Sequence, residues 1–231
     1  MRNKTILFAL ISLALSSGAW AQSFSYTGTG GAIPDNVPAG VNFDIIITDS
    51  GTISSFDSIL VPAFHSWVGD LTFRLTHVET ATTVVFMQKV QSGTTGGAGD
   101  SSNLGVGTTL VDYTFDNTPS TISSANSIWQ AATGGTSTFD IVSGTFGASA
   151  NSFSGVAATS YVATSFSTFV GQSIAGTWRF NVADNALIDT GSIGAWKING
   201  SLAPVLAPEP GALALLGLAL LPGTALLRRR K

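Results

Sequence analysis

Five aspartates are the residues best placed to do chemistry: Asp70, Asp112, Asp116, Asp184 and Asp189. Asp70 sits at a predicted loop-to-strand junction, and the other four lie in or beside predicted loops. Loop carboxylates are ligands for hard cations, and Ca²⁺ takes about six to eight oxygens. The five form a candidate calcium set in a chain that otherwise requires no cofactor. No D-x-D-x-D-G loop accompanies them, and Asp is also a common turn-capping residue. Both readings stand at this point.

Other chemistries find little support. The chain has no Cys, which removes thiol catalysis, thiolate metal sites and disulfides. His65 and His77 are the only imidazoles. No G-x-S-x-G elbow supplies a nucleophile, and no H-x-x-x-H spacing supplies a zinc site. The two histidines are expected to be structural, buried or at a strand edge. No Gly-Lys-Ser/Thr follows the glycines of Ser92–Gly107, so a phosphate loop is absent. Between Gln22 and Ala207 the one glutamate is Glu79, so a glycosidase would have to rely on Asp. Trp178 and Trp196 alternate with charged neighbours and read as core. Trp129, in an irregular Ser/Thr-rich region, is the aromatic expected to be exposed for sugar stacking.

The charges divide the chain into unlike parts. The whole carries a formal −3. From Gln22 to Ala207 four basic residues (Arg74, Lys89, Arg179, Lys197) face twelve acids, a net of −8. An acidic domain is a poor fit to nucleic acid. The remaining bases lie at the two ends.

Residues 1–21 read as a secretory signal peptide. Arg2 and Lys4 form the positive region, Thr5 to Leu15 the apolar one, and Ala19 and Ala21 the small residues that signal peptidase needs, with cleavage after Ala21. Residues 208–231 contain Pro208-Glu209-Pro210, a seventeen-residue apolar stretch from Gly211 to Leu227, and Arg228-Arg229-Arg230-Lys231. As a helix the stretch spans about 25 Å at ~1.5 Å per residue, enough for a transmembrane helix when the arginines snorkel. The basic end is expected in the cytoplasm, with the acidic domain outside. This three-part order resembles the PEP-CTERM sorting signal. The resemblance implies an exosortase as partner, transient anchoring in the inner membrane and delivery to the cell surface or extracellular matrix. A plain C-terminal anchor is the other reading.

Residues 22–207 form the domain between. Period-2 alternation predicts strands at Val41–Ile47, Leu71–Leu75, Trp178–Val182 and Trp196–Ile198. The fold class predicted is all-β, an antiparallel β-sandwich with jelly-roll character, plus the C-terminal transmembrane helix. Ser92–Gly107 is predicted to be a long loop, and Thr118–Ser160 to carry an extra hairpin.

A second resemblance covers most of Ile33–Leu202. It rests on Ile33-Pro34-Asp35-Asn36, Ser50-Gly51-Thr52-Ile53, His65-Ser66-Trp67-Val68-Gly69-Asp70-Leu71 and Phe115-Asp116-Asn117. It continues in Phe169-Val170-Gly171-Gln172, Gly176-Thr177-Trp178, Val182-Ala183-Asp184 and Asp189-Thr190-Gly191-Ser192-Ile193 with Trp196. In this order the pieces are similar to the P domain (P/Homo B domain) that follows the catalytic domain in proprotein convertases. The usual Ser-Pro-x-Gly-Thr turn is replaced by His77-Val78-Glu79-Thr80-Ala81-Thr82. The resemblance implies a β-sandwich that carries no catalytic triad of its own. Eleven residues separate the predicted cleavage site from Ile33, so no protease domain is expected before it. The expected function is an exported, non-catalytic surface or matrix protein. The alternatives are an accessory module of a secreted hydrolase or a polysaccharide-binding module, with exopolysaccharide as partner.

Overall fold

Alternating apolar residues become strands because every second side chain meets a facing sheet. The computed structural model describes residues 20–95, 99–121, 123–132, 139–153 and 161–205. Ala19, the sorting motif Pro208, Glu209 and Pro210, the predicted transmembrane helix and Arg228, Arg229 and Arg230 lie outside the described residues. Among the described residues, no helix is long and apolar enough to cross a membrane.

The strands in chain order are β1 (Gln22–Gly28), β2 (Ala32–Ile33), β3 (Val41–Ile47), β4 (Ile53–His65) and β5 (Leu71–His77). They continue as β6 (Thr82–Gln88), β7 (Asn103–Leu104), β8 (Val111–Asp116), β9 (Asp140–Ile141) and β10 (Gly144–Gly147). The last are β11 (Ser149–Asn151), β12 (Tyr161–Ala163), β13 (Gly176–Asp184), β14 (Gly191–Ile193) and β15 (Trp196–Leu202). One sheet is ordered β3-β13-β5-β6 and is antiparallel throughout. A larger sheet is built around β4, with β15 and β1 beyond one part of it and β14 and β2 beyond another. Its strand β8 also pairs with β4. β11 and β12 form a separate two-stranded pair.

The two larger sheets share one core. Phe56 of β4 lies 5.4 Å from Trp178 of β13, and Phe73 of β5 lies 6.4 Å from Phe115 of β8. Phe180 of β13 lies 5.4 Å from Trp196 of β15. All six rings are at most 1% exposed. Outside the core, Arg179 holds Asp44 through two hydrogen bonds of 2.9 and 2.8 Å on the exposed face.

One expectation changes. The domain is all-β, yet its larger sheet is mixed, not purely antiparallel: β10 runs parallel to β8, and β9 parallel to β7. The stretch Thr118–Ser160, where an extra hairpin was expected, contributes β9 and β10 to these parallel pairs and β11 to the antiparallel pair with β12. Tyr113 explains part of the arrangement. Its hydroxyl accepts from the Gly105 amide at 2.6 Å and donates to the Ile141 carbonyl at 2.5 Å, tying together the segments of β7, β8 and β9. Burial pushes this phenol up to about 12.

Candidate functional site

Strand register gathers polar side chains at one end of the domain. Asp184, the last residue of β13, pairs with Leu71, the first of β5. His65, the last of β4, pairs with Gly191, the first of β14. Asp70 ends the 3₁₀ turn Val68–Asp70 that links β4 to β5. Lys89 follows β6 and donates its amide to the Leu71 carbonyl at 2.7 Å. The turn is tight. A Cβ on Gly69 would stand 2.3 Å from Gly99, whose neighbour Asp100 accepts from the Gly69 amide at 3.0 Å.

His65 and Asp184 are both fully buried. His65 Nε2 lies 3.3 Å from Asp184 Oδ2. Nδ1 lies 3.1 Å from the Trp67 amide nitrogen and 2.9 Å from the Trp67 carbonyl oxygen, so the Trp67 peptide engages it in either tautomer. Asp184 Oδ1 accepts from the Ala186 amide at 3.1 Å. Ser66 donates its hydroxyl to Asp189 Oδ1 at 2.7 Å. A Ser, a His and an Asp are thus neighbours, but the Ser hydroxyl is committed to Asp189 and not to the imidazole. A serine hydrolase needs the opposite pairing.

Asp70 and Lys89 complete the cluster. Asp70 is 1% exposed, and its Oδ1 has no hydrogen-bond partner. Burial, reinforced by the charges of Asp184 and Asp189, pushes its carboxyl up to about 6, with Lys89 and His65 acting in the opposite direction. Lys89 is also buried, and its Nζ has no hydrogen-bond partner. Burial lowers the pKa of this ammonium, while Asp70 and Asp184 raise it. The backbone turns sharply here, with Lys89 and Gln91 both at positive φ (38° and 60°).

The calcium set divides. Asp70, Asp184 and Asp189 belong to this cluster, whereas Asp112 and Asp116 lie on β8. Asp116 caps its own turn, accepting from the Thr118 amide and hydroxyl, both at 2.9 Å. Among the described residues, no three His, Asp or Glu side chains stand in a metal-ligating group. Asp184 has both oxygens engaged and Asp189 one, and an ammonium shares the cluster. The donor set does not fit the six to eight oxygens of Ca²⁺.

A cleft of about 330 Å³ opens over the cluster, lined by Ser66, Trp67, Asp70, Leu187, Ile188 and Asp189 among others. Lys89, Leu187 and Ile188 were not anticipated from sequence. The available signal was Lys89 itself, one of four bases in the domain, set directly after an apolar strand. His77 is buried, stacked 4.5 Å from Trp178 with its Nδ1 3.0 Å from Gln172 Oε1, a structural placement. Trp129 corrects the expectation of an exposed aromatic. It is 1% exposed, because the helical turn Ile128–Ala131 directs it into the core.

No family model matches the chain. No curated protein matches it in sequence. Among solved structures it is similar to the Aeromonas sobria serine protease in complex with the chaperone ORF2, at 13% identity and a TM-score of 0.39 over 79% of this chain. It is similar also to the serine protease of Aeromonas sobria, at 13% identity and a TM-score of 0.36 over 81% of this chain. The chain spans 27% and 28% of those chains. Values this low carry no argument about activity.

Proposed function

We propose that the chain is an exported, non-catalytic β-sandwich with jelly-roll character, similar to a P domain, that serves as a body at the cell surface or in the extracellular matrix. The observation that carries this reading is the engagement of His65. Its imidazole is buried, its two nitrogens are met by the Trp67 peptide and Asp184, and Ser66 turns to Asp189. No nucleophile–base pair is available there. Burial of Trp129 leaves the polysaccharide-stacking reading without its chosen residue.

The ends of the domain support the processing half of the proposal. β1 begins at Gln22, directly after Ala21, and β15 ends at Leu202, ahead of Pro208-Glu209-Pro210. In this reading signal peptidase removes residues 1–21. The segment Gly211–Leu227 with its Arg cluster then holds the chain in the inner membrane until an exosortase acts near Pro208. The mature protein joins a matrix that includes exopolysaccharide.

Intact mass of the surface-released protein tests the sorting half. A species running from Gln22 to near Pro208 is expected, and retention of Leu227 and the Arg cluster would refute it. Peptidase and glycan-hydrolysis assays on the same protein test the other half. Turnover abolished by one Ser or Asp substitution would overturn the non-catalytic reading.

A further inference from the structure

The cleft above the buried cluster has two unlike surfaces. Its wall is apolar and open: Leu187 is 65% exposed and Ile188 is 89% exposed, beside the half-buried Trp67. Ile188 holds φ at 93°, a conformation that a β-branched residue adopts only under constraint, with its amide donating to Asp35 Oδ1 at 3.0 Å. The chain therefore keeps a strained apolar side chain in solvent, where it gains no burial.

The floor of the cleft is acidic. Asp70, nearly fully buried, presents an Oδ1 with no hydrogen-bond partner. A buried acceptor left unmet costs stability. Lys89 does not meet it, since its Nζ is also without a partner. Asp189 commits Oδ1 to Ser66, leaving Oδ2 for another donor. Asp184 is satisfied by His65 and the Ala186 amide. Asp70 thus feels two further carboxylates, Asp184 and Asp189, against one ammonium, and the excess charge is negative.

We propose that this cleft binds a basic side chain of a partner polypeptide, a Lys or Arg whose stem lies along Trp67, Leu187 and Ile188 and whose cationic head meets Asp70 and Asp189. A long basic side chain has both required halves, an aliphatic stem and a charged tip. Its tip needs two or three acceptors, which the floor supplies, whereas a calcium ion needs more oxygens than are left. The −8 balance of the surrounding domain favours the approach of a cationic segment. This deepens the non-catalytic reading by naming a partner class.

The test titrates the full chain, in neutral-detergent micelles, with the blocked peptide acetyl-Gly-Lys-Gly-amide and its Arg, norleucine and Glu counterparts. The readout is the indole N–H resonance of Trp67, assigned with Trp67→Phe. A saturable shift with the Lys or Arg peptide is expected, at least about tenfold weaker with norleucine and absent with Glu. Asp189→Asn is expected to weaken binding by about tenfold. Ile188→Gly, which relieves the positive φ and so keeps the fold, is expected to weaken it about threefold through lost apolar contact. Equal binding of norleucine, indifference to Asp189→Asn, or no saturable shift overturns the proposal. So does a saturable shift with calcium chloride alone that excludes the peptide, which would mark a metal site. The two readings fail separately. An intact peptide with no shift removes the cleft as a binding site, whereas a peptide found cleaved removes the non-catalytic reading.

Discussion

Asp70 shows at the scale of one residue how burial sets behaviour. Its carboxyl is raised from 3.8 to about 6, first by burial and then by the Asp184 and Asp189 charges. A carboxyl with a raised folded pKa favours the neutral form, so its contribution to stability is fully present below about pH 3.8 and is lost as pH rises through about 6. The loss amounts to about 3 kcal/mol by the usual conversion of pKa shift to free energy. Asp70→Asn removes this dependence. Thermal unfolding of the variant and the parent across pH 4 to 8 should show the variant gaining relative stability as pH rises through about 6. A difference in Tm that stays flat across that range would contradict the account. The sequence placed Asp70 correctly at a loop-to-strand junction, but the charges of Lys89, Asp184 and Asp189 that act on it come from positions distant in the chain. Trp129 carries the same lesson, since an irregular Ser/Thr-rich neighbourhood says nothing about a single helical turn that faces inward.

At the scale of elements, strands with unbroken alternation were legible. β3, β5, β13 and β15 all cover their predicted segments. β4 was not, although it is the longest strand and the centre of the larger sheet. Its buried residues begin Ile53, Phe56, Ile59, then Val61, Ala63 and His65. The first three are spaced by three, not two. The pairing to β15 explains why: register shifts fall between Asn199 and Gly200 and between Ser201 and Leu202, so Asp57 and Ser54 are each extra residues on β4. Each bulge resets the alternation and returns an apolar side chain to the core. Deleting Asp57 should therefore turn Phe56 away from the rings of Phe24, Phe166, Phe169 and Trp178, and abolish cooperative unfolding. Asp57→Asn, at an exposed site, should shift stability by no more than about 0.5 kcal/mol. Denaturant unfolding of both variants distinguishes a register role from a side-chain role. If the deletion and the substitution behave alike, the bulge is dispensable.

For the whole molecule, Ala21–Ala203 is one compact unit whose core runs through both larger sheets. Brief proteolysis of the full chain should leave a fragment with ends close to Ala21 and Ala203, read by mass. Early cleavage between β4 and β5 would contradict the burial of the Val68–Asp70 turn. The sequence alone determined the acidic balance of the domain, its freedom from cysteine, its all-β class and the terminal segments that its expected export rests on. Those properties are sums over residues or local periodicities, which need no knowledge of contacts. Tertiary structure decided that the larger sheet is mixed, that five dispersed aspartates divide into a buried cluster and a pair on β8, and that the cluster underlies an apolar-walled cleft. These depend on register across the sheets, where His65, Asp70, Lys89 and Asp184 meet only because strand ends far apart in sequence stop at the same edge.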